Sequence, residues 1–313
     1  MVPVIKEEHF SQEQIFAILE RIGYPFKHAN VLPEPTLDTL RELHYRCVTS
    51  IPFELLSLRA TKSRTVEIEL DAIYDRVVNR RRGGWCFSLN KLAFELLRGL
   101  GFTTQYTLAR MCKPRQPDDP ISFRGLTHRV TIIRFAEDNN SKYVFDIGFG
   151  ASSFYPLKLE EGFEVEFFGH RRRMVKAFHN LEEPHILGHS GEEYWQVQEF
   201  MGMEDKDKGG REKWTPCYAF TERQYYAIDC EINNYWSSCS PKSTFYGQFW
   251  VFQGTLDGKY NLLMNKSFKI RDSNGTVMSI DIETEDQRQN ILKEFFGIEF
   301  TEAEWEHFDI KIE

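Results

Sequence analysis

Apolar residues recur at helical spacing after position 86: Leu89, Leu92, Ala93, Leu96 and Leu97 share one face, and Gly99 and Gly101 end the run. This predicts a helix that starts at or near Cys86. Three more helices are expected before it. Ser11 with Gln14 forms a capping box for a helix to about Arg21, Thr36 caps a second through about Val48, and residues 70–79 form a third. After Gly101 the period changes to alternation, in the runs TQYTLARM, HRVTIIRF, KYVFDIGF, FEVEFF, RRMVKAF and YWQVQEF, separated by loops rich in Pro, Gly, Asn and Asp. Such runs predict an antiparallel sheet or barrel. The charged stretch EDKDKGGREK, residues 204–213, reads as a surface loop and a boundary. Beyond it come a helix near 221–235, the strands QFWVFQ, YNLLM, SFKI and TVMSI with a DSNG hairpin turn at 272–275, and a helix over about 284–296. The expected architecture is α+β: a helical domain over 1–100, an antiparallel β-barrel domain over 101–212 and a mixed α/β domain over 213–313.

Hydrophobic content of 41% and charged content of 27% over 313 residues are ordinary for a globular chain with a sizeable core. The net charge of -8 argues against general nucleic-acid binding, so an anionic ligand would need a local basic patch. No apolar run is long enough to span a bilayer, and MVPVIKEEHF lacks the apolar core of a signal peptide, so no membrane partner and a cytoplasmic location are expected. The six cysteines (47, 86, 112, 217, 230, 239) lack the spacing of a disulfide framework or zinc site and read as reduced thiols. In HILGH, His185 and His189 have metal-ligand spacing on a helix, but Pro184 and Gly188 oppose a helix there and no metal site is expected.

The chemistry concentrates around RRGGWC. At a helix N-terminus the unpaired amide groups and the positive end of the dipole favour a thiolate at Cys86, and Arg81 and Arg82 are expected to act in the same direction. Gly83 and Gly84 allow a tight approach turn. A nucleophilic thiol needs a base, and the base needs an orienting group. His128 begins the strand HRVTIIRF and Asp146 ends the next one, KYVFD, with a short turn at AEDNNS between them. The start of one hairpin strand lies beside the end of the other, so the spacing brings His128 and Asp146 together.

RRGGWC with Asn90 after it, a His-bearing strand and then DIGFG resembles the pattern of the arylamine N-acetyltransferases. IPFELLSL at 51–58 resembles that family's PFEN-type segment, and SPKSTF at 240–245 its SPxSxF segment. The resemblance implies an N-terminal helical bundle, a central β-barrel and a C-terminal α/β lid, with a cysteine-protease-like triad formed by Cys86, His128 and Asp146. It also implies an acceptor pocket lined by Phe53, Gly148 and Phe149, and contacts to coenzyme A from Arg124, Gly125, Trp236 and Ser243. Arg110, Lys113 and Arg115 lie on the same approach to His128 and could meet phosphates. Ser88 replaces the family's usual Glu or Gln, and Leu55 replaces the Asn of PFEN.

The activity implied is ping-pong transfer of an acetyl group from acetyl-CoA, through a Cys86 thioester, to an arylamine, arylhydrazine or hydroxylamine, in a xenobiotic-detoxifying role. Acyl-CoA would be a cosubstrate, and no permanently bound cofactor is expected. The alternatives within the resemblance are an N-malonyltransferase using malonyl-CoA and a catalytically silent CoA-binding relative. A malonyl carboxylate would need donors near Cys86, for which Arg124, Lys242 and Ser88 are candidates. A papain-like hydrolase is disfavoured, because the Cys-to-His interval is short and the RRGGWC context differs. Oligomeric state and the physiological acceptor stay open.

Overall fold

The computed structural model describes residues 9–28, 31–112, 121–179, 192–204 and 210–312. The N-terminal part holds α1 (Gln12–Arg21), α2 (Leu37–Ser50), the short strand β1 (Phe53–Glu54), α3 (Leu56–Arg59), α4 (Leu70–Tyr74), which runs into a wide π turn at Asp75–Asn79, and α5 (Cys86–Gly99). Local chemistry sets the starts. The Ser11 hydroxyl accepts from the Gln14 amide at 3.3 Å while the Gln14 side chain accepts from the Ser11 amide at 2.9 Å, and Thr36 accepts from the Thr39 amide at 3.2 Å. Ile18, Leu19, Leu40, Leu43, Leu92 and Leu96 then join these helices in one core.

The second layer holds β2 (Thr103–Met111), β3 (His128–Phe135), β4 (Ser141–Phe145), β5 (Leu157–Lys158), β6 (Glu164–Phe167), β7 (His170–His179), β8 (Glu192–Glu204) and β9 (Arg211–Phe220). They form one antiparallel sheet in the order β5-β4-β3-β2-β9-β8-β7-β6. The β5–β6 connection bridges the two ends of the sheet, since Leu159 N donates to Lys142 O of β4 at 2.8 Å and Gly162 N to Met174 O of β7 at 2.9 Å, so the barrel is nearly closed. Ile133 and Phe145 of this sheet pack into the helical core.

The C-terminal part contains α6 (Ala227–Cys239), β10 (Trp250–Gly254), β11 (Tyr260–Met264), β12 (Ser267–Asp272), β13 (Gly275–Asp281), α7 (Glu285–Phe296) and α8 (Glu302–His307). Its sheet runs β1-β10-β11-β12-β13, and Asp272 faces Gly275 across the DSNG turn.

Two boundaries differ from those expected. Position 212 lies inside β9, which pairs with both β2 and β8, so the barrel extends to Phe220. The strand was hidden by its charged start and by Pro216, which is tolerated next to an irregularity in the pairing at Val197/Gln198. Position 100 does not separate the helices from the rest either, because β1 pairs with β10, Phe53 against Phe252. The HILGH histidines and Lys113 and Arg115 lie outside the described residues. Among the described residues no helix is long and apolar enough to cross a membrane.

Candidate active site

Cys86 is the first residue of α5, as the apolar period predicts. Its approach turn needs glycine at position 83, where a Cβ would fall 1.7 Å from the Pro52 carbonyl oxygen. The same demand recurs on the opposite wall: a Cβ on Gly148 would lie 2.5 Å from the Cys86 Cα, so only glycine lets the turn after β4 close over the helix start. Ser88 accepts from the Trp85 amide at 3.2 Å and donates to the Trp85 carbonyl at 3.1 Å. It therefore serves the helix start rather than the cavity. Leu55 is fully buried, and its amide donates to the Trp250 carbonyl at 3.1 Å.

The β3–β4 hairpin turns through Asn139 and Asn140, both in left-handed conformation, and it brings its two ends together. His128 Nε2 lies 2.8 Å from Asp146 Oδ2, and the ring lines the same cavity wall as Cys86. With Nε2 engaged by the carboxylate, Nδ1 is the nitrogen left for the sulfur. Cys86 Sγ is also 3.6 Å from the Thr127 carbonyl oxygen. All three residues are buried. Burial opposes charge on the His128 ring, but the Asp146 carboxylate and then the Cys86 sulfur outweigh it and push the imidazole up to about 10. Burial likewise opposes charge on Asp146. The His128 ring, the Asn90 side chain and the Gly148 amide overcome it and hold the carboxyl below its usual range.

Asn90, one turn into α5, organises this corner. Its Nδ2 donates to Asp146 Oδ1 at 2.8 Å and to the Arg129 carbonyl, while its Oδ1 accepts from the Ile147 amide at 3.0 Å. His44 of α2 accepts from the Asp146 amide at 3.3 Å. Tyr218 of β9 packs on His128 at 5.0 Å between ring centroids, and burial and then the nearby Asp146 charge push its hydroxyl pKa well above the ordinary value. The sequence reading missed His44 and Tyr218. Tyr218 sits on the unrecognised strand, and His44 is one of many polar residues on an amphipathic helix.

The expected help from Arg81 and Arg82 is not found. The Arg82 guanidinium is buried against the Glu304 carboxylate and the Glu299 carbonyl, and Arg81 is exposed in a different pocket, beside Arg21. The cation beside the sulfur is His128.

A cavity of about 200 Å³ opens over Cys86 and His128. Phe53, Gly148 and Phe149 line it as expected, together with Met111, Cys112, Thr127, Thr244, Phe245, Trp250 and Phe252. The alternation of β10 in fact announced Trp250 and Phe252, which share one face of that strand and stack at 5.8 Å. Arg124 is the cavity's one basic side chain besides His128, and its guanidinium makes no hydrogen bond among the described residues. The other coenzyme A candidates stand apart from this lining. Ser243 donates to the Ser237 carbonyl at 2.6 Å and accepts from the Phe245 amide at 3.2 Å, Gly125 is exposed in open space, and Trp236 is half-exposed on α6. Lys242 is exposed, and Arg110 donates to the Arg124 carbonyl at 3.3 Å.

A helix-borne thiol, a charged imidazole and an aromatic cavity suit acyl transfer, and comparison with known proteins agrees. A family model described as N-acetyltransferase matches residues 36–305, and the chain belongs to that family, the arylamine N-acetyltransferases, whose members are acyltransferases. Arylamine N-acetyltransferase 2 of Mus musculus is 28% identical over 294 residues, covering 91% of this chain and 93% of the relative. N-malonyltransferase FDB2 of Fusarium pseudograminearum is 26% identical over 321 residues, covering 94% and 91%. Among solved structures, the arylamine N-acetyltransferase of Mycobacterium marinum superposes with a TM-score of 0.74 at 25% identity, covering 91% of this chain and 92% of its own. A second structure of that enzyme is in complex with CoA and shares the fold at 24% identity, TM-score 0.74, with 95% and 99% covered.

Proposed function

We propose that the protein is an acyl-CoA:arylamine N-acyltransferase in which Cys86 carries the acyl group between two substrates. The observation that carries this reading is the His128–Asp146 hydrogen bond beside Cys86 at the wall of an aromatic cavity that both Cys86 and His128 line. In the first half-reaction the Cys86 thiolate attacks the thioester carbonyl of acyl-CoA, and the coenzyme A sulfur leaves with the proton from the His128 imidazolium. One thioester replaces another, so the step is close to isoenergetic. In the second, the amine nitrogen attacks the Cys86 thioester and His128 accepts its proton, which restores the thiolate and the imidazolium. Asp146 holds the ring in the required tautomer and stabilises its charged form. Arylamines keep a free lone pair at neutral pH, and the rings of Phe53, Phe149 and Phe252 offer a flat apolar surface for them. The same rings exclude water, which would otherwise hydrolyse the intermediate.

Acetyl-CoA is the donor we favour, with arylamines, arylhydrazines and hydroxylamines as acceptors. Malonyl-CoA is the second reading, because FDB2 is an N-malonyltransferase and Arg124, whose guanidinium makes no hydrogen bond among the described residues, lines the cavity and could face a malonyl carboxylate. Arg124 equally suits a phosphate of coenzyme A, the ligand held by the mycobacterial enzyme of this fold. Initial rates measured with each acyl-CoA against an aniline test both readings. Parallel double-reciprocal lines with product formed from one donor are expected, and intersecting lines would reject the covalent relay. An Arg124→Ala change that weakens malonyl transfer far more than acetyl transfer would assign Arg124 to the carboxylate.

A further inference from the structure

A second concavity, of about 460 Å³, opens where the C-terminal ends of α1 and α2 meet the turn at Arg81 and strand β10. Three arginines line it, Arg21, Arg46 and Arg81, with the carboxylate of Glu20 in the same lining and that of Glu42 paired with Arg46. In a chain of net charge -8 this local excess of positive charge runs against the composition.

The three arginines are held unequally. Arg21 is buried and donates to backbone carbonyls, from Nε to Val77 at 3.0 Å and from Nη2 to Arg81 at 3.3 Å. Burial and then the charge of Arg81 draw the Arg21 pKa down to about 10, so the two guanidiniums repel one another across the pocket. Arg46 donates from Nε to Glu42 at 2.7 Å, and its terminal amino groups are not used in that bond. Arg81 makes no side-chain hydrogen bond or ion pair among the described residues, and its backbone sits at φ 52, in the left-handed region that a long side chain rarely adopts. The carbonyls at the ends of α1 and α2 offset part of this charge, yet none of them receives Arg81. The nearby hydroxyls are already committed, Thr49 to the Tyr45 carbonyl at 2.9 Å and Ser50 to the Ile22 carbonyl at 3.1 Å. The arginines therefore decide what the pocket recognises.

We propose that this pocket is a binding site for a small multivalent oxyanion of the phosphate class, separate from the Cys86 cavity. A guanidinium presents parallel N–H donors that match two oxygens of one oxyanion, and an oxyanion between Arg21 and Arg81 turns their mutual repulsion into two attractions. The site borders the catalytic elements without sharing their lining. Arg81 opens the RRGGWC stretch, and Gln253 of the pocket is the neighbour on β10 of Phe252, which faces the Cys86 cavity.

The test is titration of the full chain with inorganic phosphate at constant ionic strength, read by calorimetry and by thermal unfolding. Saturable binding and a rise in Tm are expected for the wild type and for Arg124→Ala, which removes the basic side chain of the other cavity. Arg81→Asn, which keeps a residue tolerant of the left-handed backbone, should weaken phosphate binding by about tenfold or more. Arg46→Gln gives a second variant away from the strained turn and should also weaken it. Sulfate should compete with phosphate, and chloride at matched ionic strength should not. Absence of saturable binding, or equal affinity in wild type, Arg81→Asn and Arg46→Gln, would overturn the proposal. So would binding lost in Arg124→Ala but kept in Arg81→Asn, which would place the anion in the Cys86 cavity. None of these outcomes bears on whether Cys86 carries an acyl group.

Discussion

His44 and His128 lie on two sides of Asp146, are almost equally buried at 1% and 2% exposure, and end in opposite states. His128 faces the Asp146 carboxylate at 2.8 Å, and its ring is pushed up to about 10. His44 faces the Asp146 amide at 3.3 Å and the edge of the Phe145 ring system, with centroids 4.6 Å apart. There burial prevails over a weaker pull from the Asp146 charge, and the ring falls to about 4. Burial alone therefore does not decide the charge of a histidine; what matters is whether its near partner is an ion or a dipole. One aspartate thus holds a cation with its side chain and a neutral acceptor with its backbone. The first arrangement suits chemistry at Cys86, and the second holds the turn in place.

The largest expected effect comes from removing the cationic member. His128→Gln should lower turnover by about three orders of magnitude. It should also slow alkylation of Cys86 by iodoacetamide at neutral pH, because the sulfur loses its charge partner. Equal alkylation rates in wild type and variant would contradict the ion pair.

Asp146→Asn should come next and make the two histidines alike. The carboxylate is the largest influence raising His128, so without it burial dominates and the ring should titrate below its ordinary value of 6.5. Turnover at neutral pH should then fall by roughly two to three orders of magnitude, and ring NMR titration should find no imidazolium there. An Asp146→Asn protein whose His128 still titrates far above 6.5 would show that another group holds the charge.

Smaller still is the effect on stability. The His128 contribution is present below 6.5 and is lost as pH rises through about 10, since the folded state binds the extra proton in that window. For His44 the unfolded state binds the extra proton between about 4 and 6.5, so stability falls as pH drops through that interval. His44→Leu should cost about 1–3 kcal/mol at neutral pH by leaving the Asp146 amide without an acceptor. It should also flatten the acid limb of the unfolding profile and spare the alkaline limb. A variant with the acid limb unchanged would remove His44 from this account.

The parts of the site that follow from local rules were legible in the chain. The apolar period located the start of α5 and with it Cys86, and two strands joined by a short Asn-bearing turn were enough to pair His128 with Asp146. What escaped depends on contacts distant in sequence. Pro216 and the charged start of β9 concealed the strand that carries Tyr218, and nothing in LHYRC marks His44 as the residue that meets a loop about a hundred positions away. Arg82 looked like a partner for the thiol because it is near in sequence, but its position in space is set by Glu304 on α8. For Ser243 the motif gave a role toward coenzyme A, and what the motif did not show is that its hydroxyl closes the turn after α6.

The central claim is that Cys86, among six thiols, holds the acyl group. Its rivals differ in surroundings: burial pushes the Cys47 and Cys217 thiols up to about 12, and neither has an imidazole raised beside it. The direct measurement is mass spectrometry of the protein mixed with acyl-CoA alone, before any amine is added. The account predicts one acyl group per chain, released coenzyme A in equal amount, the label on the peptide containing GGWCFSLN, and none in Cys86→Ala. Labelling of another cysteine, or full amine acylation by the Cys86→Ala protein, would contradict it.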